Sequence, residues 1–109
     1  MVIERIGIVC SPNQSEELRR GLSALVGPMS VEPGCIACSL YTEANNAHKF
    51  YFETRWRSEV ELFKHLRSEQ YRQLLILIEL GKEPPIVEFH SVSETHGLEL
   101  VAAVRRDAI

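Results

Sequence analysis

HKFYFETRWRSEVELFKHLRSEQYRQL, residues 48–74, changes its hydrophobic period midway, and that change decides the fold. From His48 to Arg57 the residues Phe50, Phe52, Thr54 and Trp56 alternate with Tyr51, Glu53 and Arg55, the period of two that sends successive side chains to opposite faces of a strand. At Ser58 the spacing becomes helical. Ser58 with Glu61 three residues on is a capping box, since the serine oxygen accepts from an N–H that the first helical turn leaves free. The helix it opens is expected to reach Leu66 or Arg67, with Val60, Phe63 and Leu66 toward the core. His65 lies off that stripe, as a boundary histidine satisfied by a carboxylate or water. Beyond Ser68, a helix from Glu69 to Leu80 places Tyr71, Leu74, Leu75 and Ile78 at helical spacing, with Gly81 as a left-handed terminator.

Upstream, Val2 to Cys10 reads as a strand with Ile6, Ile8 and Cys10 on one side, ended by Ser11–Pro12–Asn13. Asn13 and Glu16 resemble a capping box for a helix that buries Leu18, Leu22, Leu25, Val26 and Met29 and that Gly27–Pro28 should end or distort. After the turn Glu32–Pro33–Gly34, a strand from Cys35 to Thr42 should place Ile36, Cys38 and Leu40 on one face and Cys35, Ala37 and Tyr41 on the other. A polar connection, Glu43 to Ala47, then leads back into the opening stretch. Downstream, Ile86 to Glu94 alternates as a last strand, Val87 and Phe89 opposed to Ile86, His90 and Val92. The tail from Thr95 fits a short helix or a fifth strand.

The order β, α, β, β, α(α), β is the split βαββαβ pattern of a ferredoxin-like α+β fold, a four-stranded antiparallel sheet with helices on one face. Residues 1–94 form one domain in this reading, and 95–109 a tail suited to clasping a partner protomer. The uncovered sheet face looks too apolar to leave wet, so a homodimer through that face is expected. Glu53 should then enter an ion pair with Arg55 or Arg57 across the dimer.

Composition narrows function. The chain has 109 residues, 45% of them hydrophobic, enough for a core without disulfide or metal staples. Twelve Lys+Arg against fifteen Asp+Glu, a net charge of −3, and no basic stripe argue against nucleic acid. The longest apolar run, Leu74 to Ile78, is too short for a bilayer, so no membrane partner is expected. Three scattered cysteines suit a reducing, cytoplasmic setting. Cys35 and Cys38, three apart on a strand, should point to opposite faces, which disfavours a disulfide, and no second pair completes a zinc site. His90 and His96 would meet a metal only if the chain turned between them.

Glu32–Pro33–Gly34–Cys35, Phe50-x-x-Glu53-x-x-Trp56 and His65–Leu66-x-Ser68-x-x-Tyr71, in this order and spacing, resemble the antibiotic biosynthesis monooxygenase family of dimeric α+β barrels. The resemblance spans roughly Val2 to Val92. It implies a dimeric barrel with a pocket between helices and sheet, and oxygenation of a phenol, anthrone or quinol by O2 with no metal, flavin or other cofactor. Other family members degrade haem, but that branch carries an asparagine in its first strand, where Arg5 to Val9 has none. Phe52 stands where some anthrone oxygenases have asparagine, which implies a more apolar pocket.

Trp56 and His65 match pocket positions of the oxygenase members. An indole can stack on a flat phenol, and a neutral imidazole suits removal of a phenolic proton near neutral pH. Phe52, Tyr71, Tyr51 and Arg55 are further substrate-binding candidates: a tyrosine could orient a substrate hydroxyl, and an arginine could stabilise a phenolate. The reading is a cofactor-independent monooxygenase of a small aromatic phenol or quinol, with His65 as acid/base. An isomerase or tautomerase of a small oxygenated metabolite and a non-enzymatic small-molecule binder stand as alternatives.

Overall fold

The computed structural model of the chain describes residues 1–107. The elements are β1 (Val2–Val9), a 3-10 turn (Pro12–Gln14), α1 (Ser15–Ser30), β2 (Cys35–Glu43), β3 (Asn46–Trp56), α2 (Glu59–Leu66), α3 (Glu69–Ile78), β4 (Ile86–Ser91) and α4 (Leu98–Asp107). The strands make one antiparallel sheet in the order β2-β3-β1-β4, with the first and third strands central, as the ferredoxin-like reading requires.

Parity along the central strands builds the core. Ile6 and Ile8 of β1 stand opposite Phe52 and Phe50 of β3, and all four are buried beneath Leu18, Leu22, Leu25 and Met29 of α1 and Leu74 and Ile78 of α3. Two rungs beyond Ile6 on the same face, past Glu4 and Thr54, Val2 pairs with Trp56 and both pack on Leu62 of α2. Ser58 caps α2 by accepting from Glu61 N, and Ser68 caps α3 by accepting from Tyr71 N.

Several local expectations are corrected. Asn13 does not cap α1: a 3-10 turn precedes the helix, Gln14 takes the N-cap place without a side-chain bond, and Glu16 pairs with Arg19 and Arg20. The helix also runs through Pro28 to Ser30. On α2 the buried positions are Leu62 and His65, while Val60 and Phe63 are exposed, because the helix is rotated to present the histidine to the sheet. Helix α3 ends at Ile78 with Leu75 exposed. Gly81 has no left-handed conformation; it forms an isolated bridge to Cys10 instead. β4 stops at Ser91 with every residue exposed.

The strand β2 contains the largest departure. Cys35 pairs with Trp56 but Ala37 pairs with Arg55, so Ile36 is an extra residue that breaks the alternation. The bulge exposes Ile36 and turns both Cys35 and Cys38 toward the helices, where each packs on the core. The two cysteines therefore share a face, and both are free thiols.

On the uncovered sheet face, Glu53 pairs with Arg55 of its own chain at 3.0 Å. Tyr51 lies between the Arg5 guanidinium and the Lys49 ammonium, 4.6 and 5.4 Å from its ring centre, and donates to Glu43. With Cys35 turned inward, this face is mixed rather than apolar. The tail forms α4, a helix whose Leu98, Leu100, Val101 and Val104 are exposed; Ala108 and Ile109 lie outside the described residues.

Candidate functional site

Strand parity that buries Val2, Ile6 and Ile8 also buries Glu4, a fully enclosed carboxylate. Its partner across the β1–β3 ladder is Thr54, whose hydroxyl donates to Glu4 Oε1 at 3.3 Å. Trp56, two residues on and therefore on the same face, donates its indole N–H to Thr54 Oγ1 at 2.9 Å. From α3, the Tyr71 hydroxyl donates to the other carboxylate oxygen, Oε2, at 2.6 Å. An ionised carboxylate in the interior is costly unless donors surround it, and here two hydroxyls do so. Burial first, then Glu4, hold the Tyr71 hydroxyl well above the usual tyrosine range, so it stays a donor.

His65 completes the cluster. Its ring stacks on Trp56, centroids 4.4 Å apart and planes 27° apart, and meets Tyr71 edge-on at 5.1 Å. Ser68 ties the two helices at this point, since its hydroxyl donates to His65 O while its oxygen accepts from Tyr71 N. Nδ1 of His65 lies 3.2 and 3.1 Å from the two Glu32 oxygens. Nε2 points toward Glu4 Oε1 at 3.7 Å and is a buried ring nitrogen without a hydrogen-bond partner among the described residues.

Glu32 comes from the α1–β2 turn. That turn is held by Glu32 N to Met29 O, Cys35 N to Glu32 O and Arg57 N to Gly34 O, the last tying it to the end of β3 beside Trp56. Gly34 has φ +81, a conformation that favours glycine, and a side chain there would meet Glu61. The neighbouring Cys38 thiol is pushed up to about 12, by burial first and then by the charges of Cys35, Glu32 and Glu4, so it stays protonated.

The structure therefore brings together His65, Trp56 and Tyr71, with Phe52 buried in the adjoining apolar core. It separates them from Tyr51 and Arg55, which lie on the other face of the sheet, so these two share no site with His65 inside one protomer. Glu4, Thr54 and Glu32 complete the cluster. Glu4 was legible as a carboxylate at a core-facing position of the first strand; Glu32 carries no such periodic signal. Beside the cluster, Val2, Leu62, Phe63, Leu66, Glu59, Phe89 and Ser91 line a cleft of about 170 Å³. Val2 and Leu62 of its wall also pack on Trp56, so the cleft and the cluster are separated by one layer of side chains.

No group of three or more His, Cys, Asp or Glu suited to a metal ion occurs among the described residues. His90 and His96 each lie beside a glutamate of their own segment, Glu88 and Glu94. No helix among the described residues is long and apolar enough to cross a membrane.

Residues 1–75 match the family model described as antibiotic biosynthesis monooxygenase. An uncharacterised protein of Synechocystis is 25% identical over 92 residues, 84% of this chain and 63% of that protein, so the chain spans less than two thirds of this curated relative. A solved Mycobacterium tuberculosis structure is 25% identical with TM-score 0.79, covering 88% of this chain and 98% of that one. A Pseudomonas aeruginosa structure is 25% identical with TM-score 0.75, covering 85% and 94%. A crystal structure of an antibiotic biosynthesis monooxygenase has TM-score 0.77 over 86% of this chain and all of that one; at 20% identity the likeness speaks for the fold alone.

Proposed function

Because the chain belongs to the antibiotic biosynthesis monooxygenase family, we propose that it oxygenates a small aromatic phenol or quinol with O2, using His65 to move the substrate proton. The observation that carries this reading is the unpartnered Nε2 of His65, a buried basic atom next to a flat indole and backed through Nδ1 by a carboxylate.

In this reading the substrate enters by the cleft between α2 and the β4 edge and displaces the Leu62 and Leu66 side chains to reach Trp56 and His65. His65 takes the hydroxyl proton, and the electron-rich phenolate passes electrons to O2. One oxygen atom enters the ring; the other leaves as water, with the returned proton and a hydrogen lost from the oxidised carbon. The substrate supplies all the electrons, so the balance needs no external reductant, and in this reading the protein contributes proton removal, orientation and dryness. Phe52 and Tyr71 bound the site from the core side. Tyr51 and Arg55 belong in this reading to the face through which two protomers join as a homodimer, with α4 reaching over the partner; the protein works in the cytoplasm.

The test is oxygen uptake by chelator-treated protein against phenols, quinols, anthrones and catechols, for wild type and His65→Ala. Uptake that survives chelation and falls about a hundredfold or more in the variant is expected. No uptake across the panel, or uptake indifferent to His65, overturns the reading. The closure of His65, 1% exposed, favours a second reading: a small-molecule binder in which Trp56 and His65 are core. Ligand retained equally by wild type and His65→Ala, without oxygen uptake, is its signature. Ligand isomerised without oxygen uptake, in a manner dependent on His65, would instead mark an isomerase.

A further inference from the structure

Nδ1 of His65 is within hydrogen-bond distance of both Glu32 oxygens. A carboxylate only accepts, so Nδ1 carries a proton and the lone pair of the neutral ring is on Nε2. Nε2 faces Glu4 Oε1 at 3.7 Å, beyond a hydrogen bond. Glu4 is not free to turn away, because Tyr71 holds one of its oxygens and Thr54 the other. A proton arriving on Nε2 thus converts a contact between two acceptors into an ion pair, in an interior where attraction is weakly screened.

We propose that Glu32 and Glu4 are the positioning residues of the His65 site: Glu32 sets which ring nitrogen accepts a proton, and Glu4 is the fixed counter-charge that meets it. The proposal rests on His65 as the proton-moving group. In the step itself the substrate O–H bond breaks, its electron pair stays on the phenolate oxygen, and an Nε2–H bond forms. The same proton later leaves Nε2 for the departing oxygen. The titratable groups around the ring are Glu4 from β1, Glu32 from the α1–β2 turn, Tyr71 from α3 and, close to both glutamates, Cys38 from β2; β3 contributes Thr54 and Trp56, which do not titrate.

The test needs no substrate. Nitrogen-15 NMR of the full chain reads the tautomer and charge of His65 in wild type, Glu32→Ala, Glu32→Gln and Glu4→Gln. Wild type is expected to show Nδ1–H in its neutral form, Glu32→Ala to lose that preference, and Glu32→Gln to regain it, because the amide oxygen still accepts. Glu4→Gln, which keeps an acceptor for Tyr71, is expected to lower the imidazolium fraction at any given pH. An Nε2–H tautomer in wild type, or Nδ1–H unchanged in Glu32→Ala, overturns the role of Glu32; an unchanged imidazolium fraction in Glu4→Gln overturns that of Glu4. If the wild type consumes oxygen, Glu32→Ala should lose about tenfold or more in kcat with KM within about twofold, and Glu32→Gln should recover part of it. Absence of uptake in the wild type defeats the oxygenase reading alone, while the NMR outcomes still decide this one.

Discussion

The β1–β3 ladder buries one face along its whole length, but its two ends are filled differently. At one end Ile6, Ile8, Phe50 and Phe52 meet the apolar side chains of α1 and α3. At the other, a chain of hydrogen bonds runs from Trp56 through Thr54 and Glu4 to Tyr71, and His65 packs its ring against Trp56 and Tyr71. The apolar end gains from the area it removes from water, whereas the polar end offsets part of its desolvation with hydrogen bonds and leaves Nε2 of His65 without one. Apolar residues of similar volume often fill such a place at no loss, so the contrast teaches that stability alone does not call for the polar end.

Four substitutions break or sharpen this contrast. The largest effect belongs to the apolar end: Phe50→Ala should lower the unfolding free energy by about 3–5 kcal/mol, through lost transfer energy and the cavity left behind. Urea denaturation measures it; a loss below about 1 kcal/mol would mean that this end collapses freely and is not the stabilising half.

At the polar end, Tyr71→Phe strips one donor from the buried Glu4 carboxylate and should cost about 1.5–3 kcal/mol at neutral pH. The sign of its pH dependence follows from a hydroxyl held above its unfolded value of 10.0. The stability linked to Tyr71 is complete below that pH and is lost as pH rises toward the folded value. The gap between wild type and Tyr71→Phe should therefore narrow above about pH 10. Denaturation curves at pH 8 and pH 11 that keep the same separation would break the link.

Gly34→Ala tests the turn that delivers Glu32 to the polar end. Forcing a side chain into φ +81 and against Glu61 should cost about 1–2 kcal/mol and loosen the Glu32–His65 contact. A drop in thermal midpoint with a changed His65 nitrogen shift is expected; an unaltered shift would show that Glu32 keeps its place without the turn.

The smallest effect is a gain. Gly27 lies inside α1, and a methyl group there meets nothing within 4 Å among the described residues, so Gly27→Ala should stabilise the apolar half by about 0.5–1 kcal/mol while leaving His65 spectra unchanged. A destabilised variant would mean that the Gly27–Pro28 stretch needs a freedom alanine lacks.

Much of this molecule was legible in its chain. Alternation in 48–56 named the four buried residues of β3, and Ser58 and Ser68 marked where two helices begin, because those signals depend on neighbours a few residues away. The misread stripes have equally physical causes. Val60 and Phe63 fit a helical period as well as Leu62 and His65 do, and only the sheet packed beneath α2 chooses between them. One extra residue at Ile36 reverses the faces of everything before it, a shift that no local pattern announces.

The sequence by itself determined the order of elements through the fourth strand, the antiparallel ferredoxin-like sheet, the family, and His65, Trp56 and Tyr71 as residues worth attention. Only the tertiary structure decided that Tyr71 and Glu4, 67 positions apart, share a proton-bearing contact, that Glu32 reaches His65 across 33, and that Tyr51 and Arg55 are on the wrong side of the sheet to join them. Periodicity is set within a turn or a rung of backbone, whereas a site is set by where distant segments are brought to rest against one another.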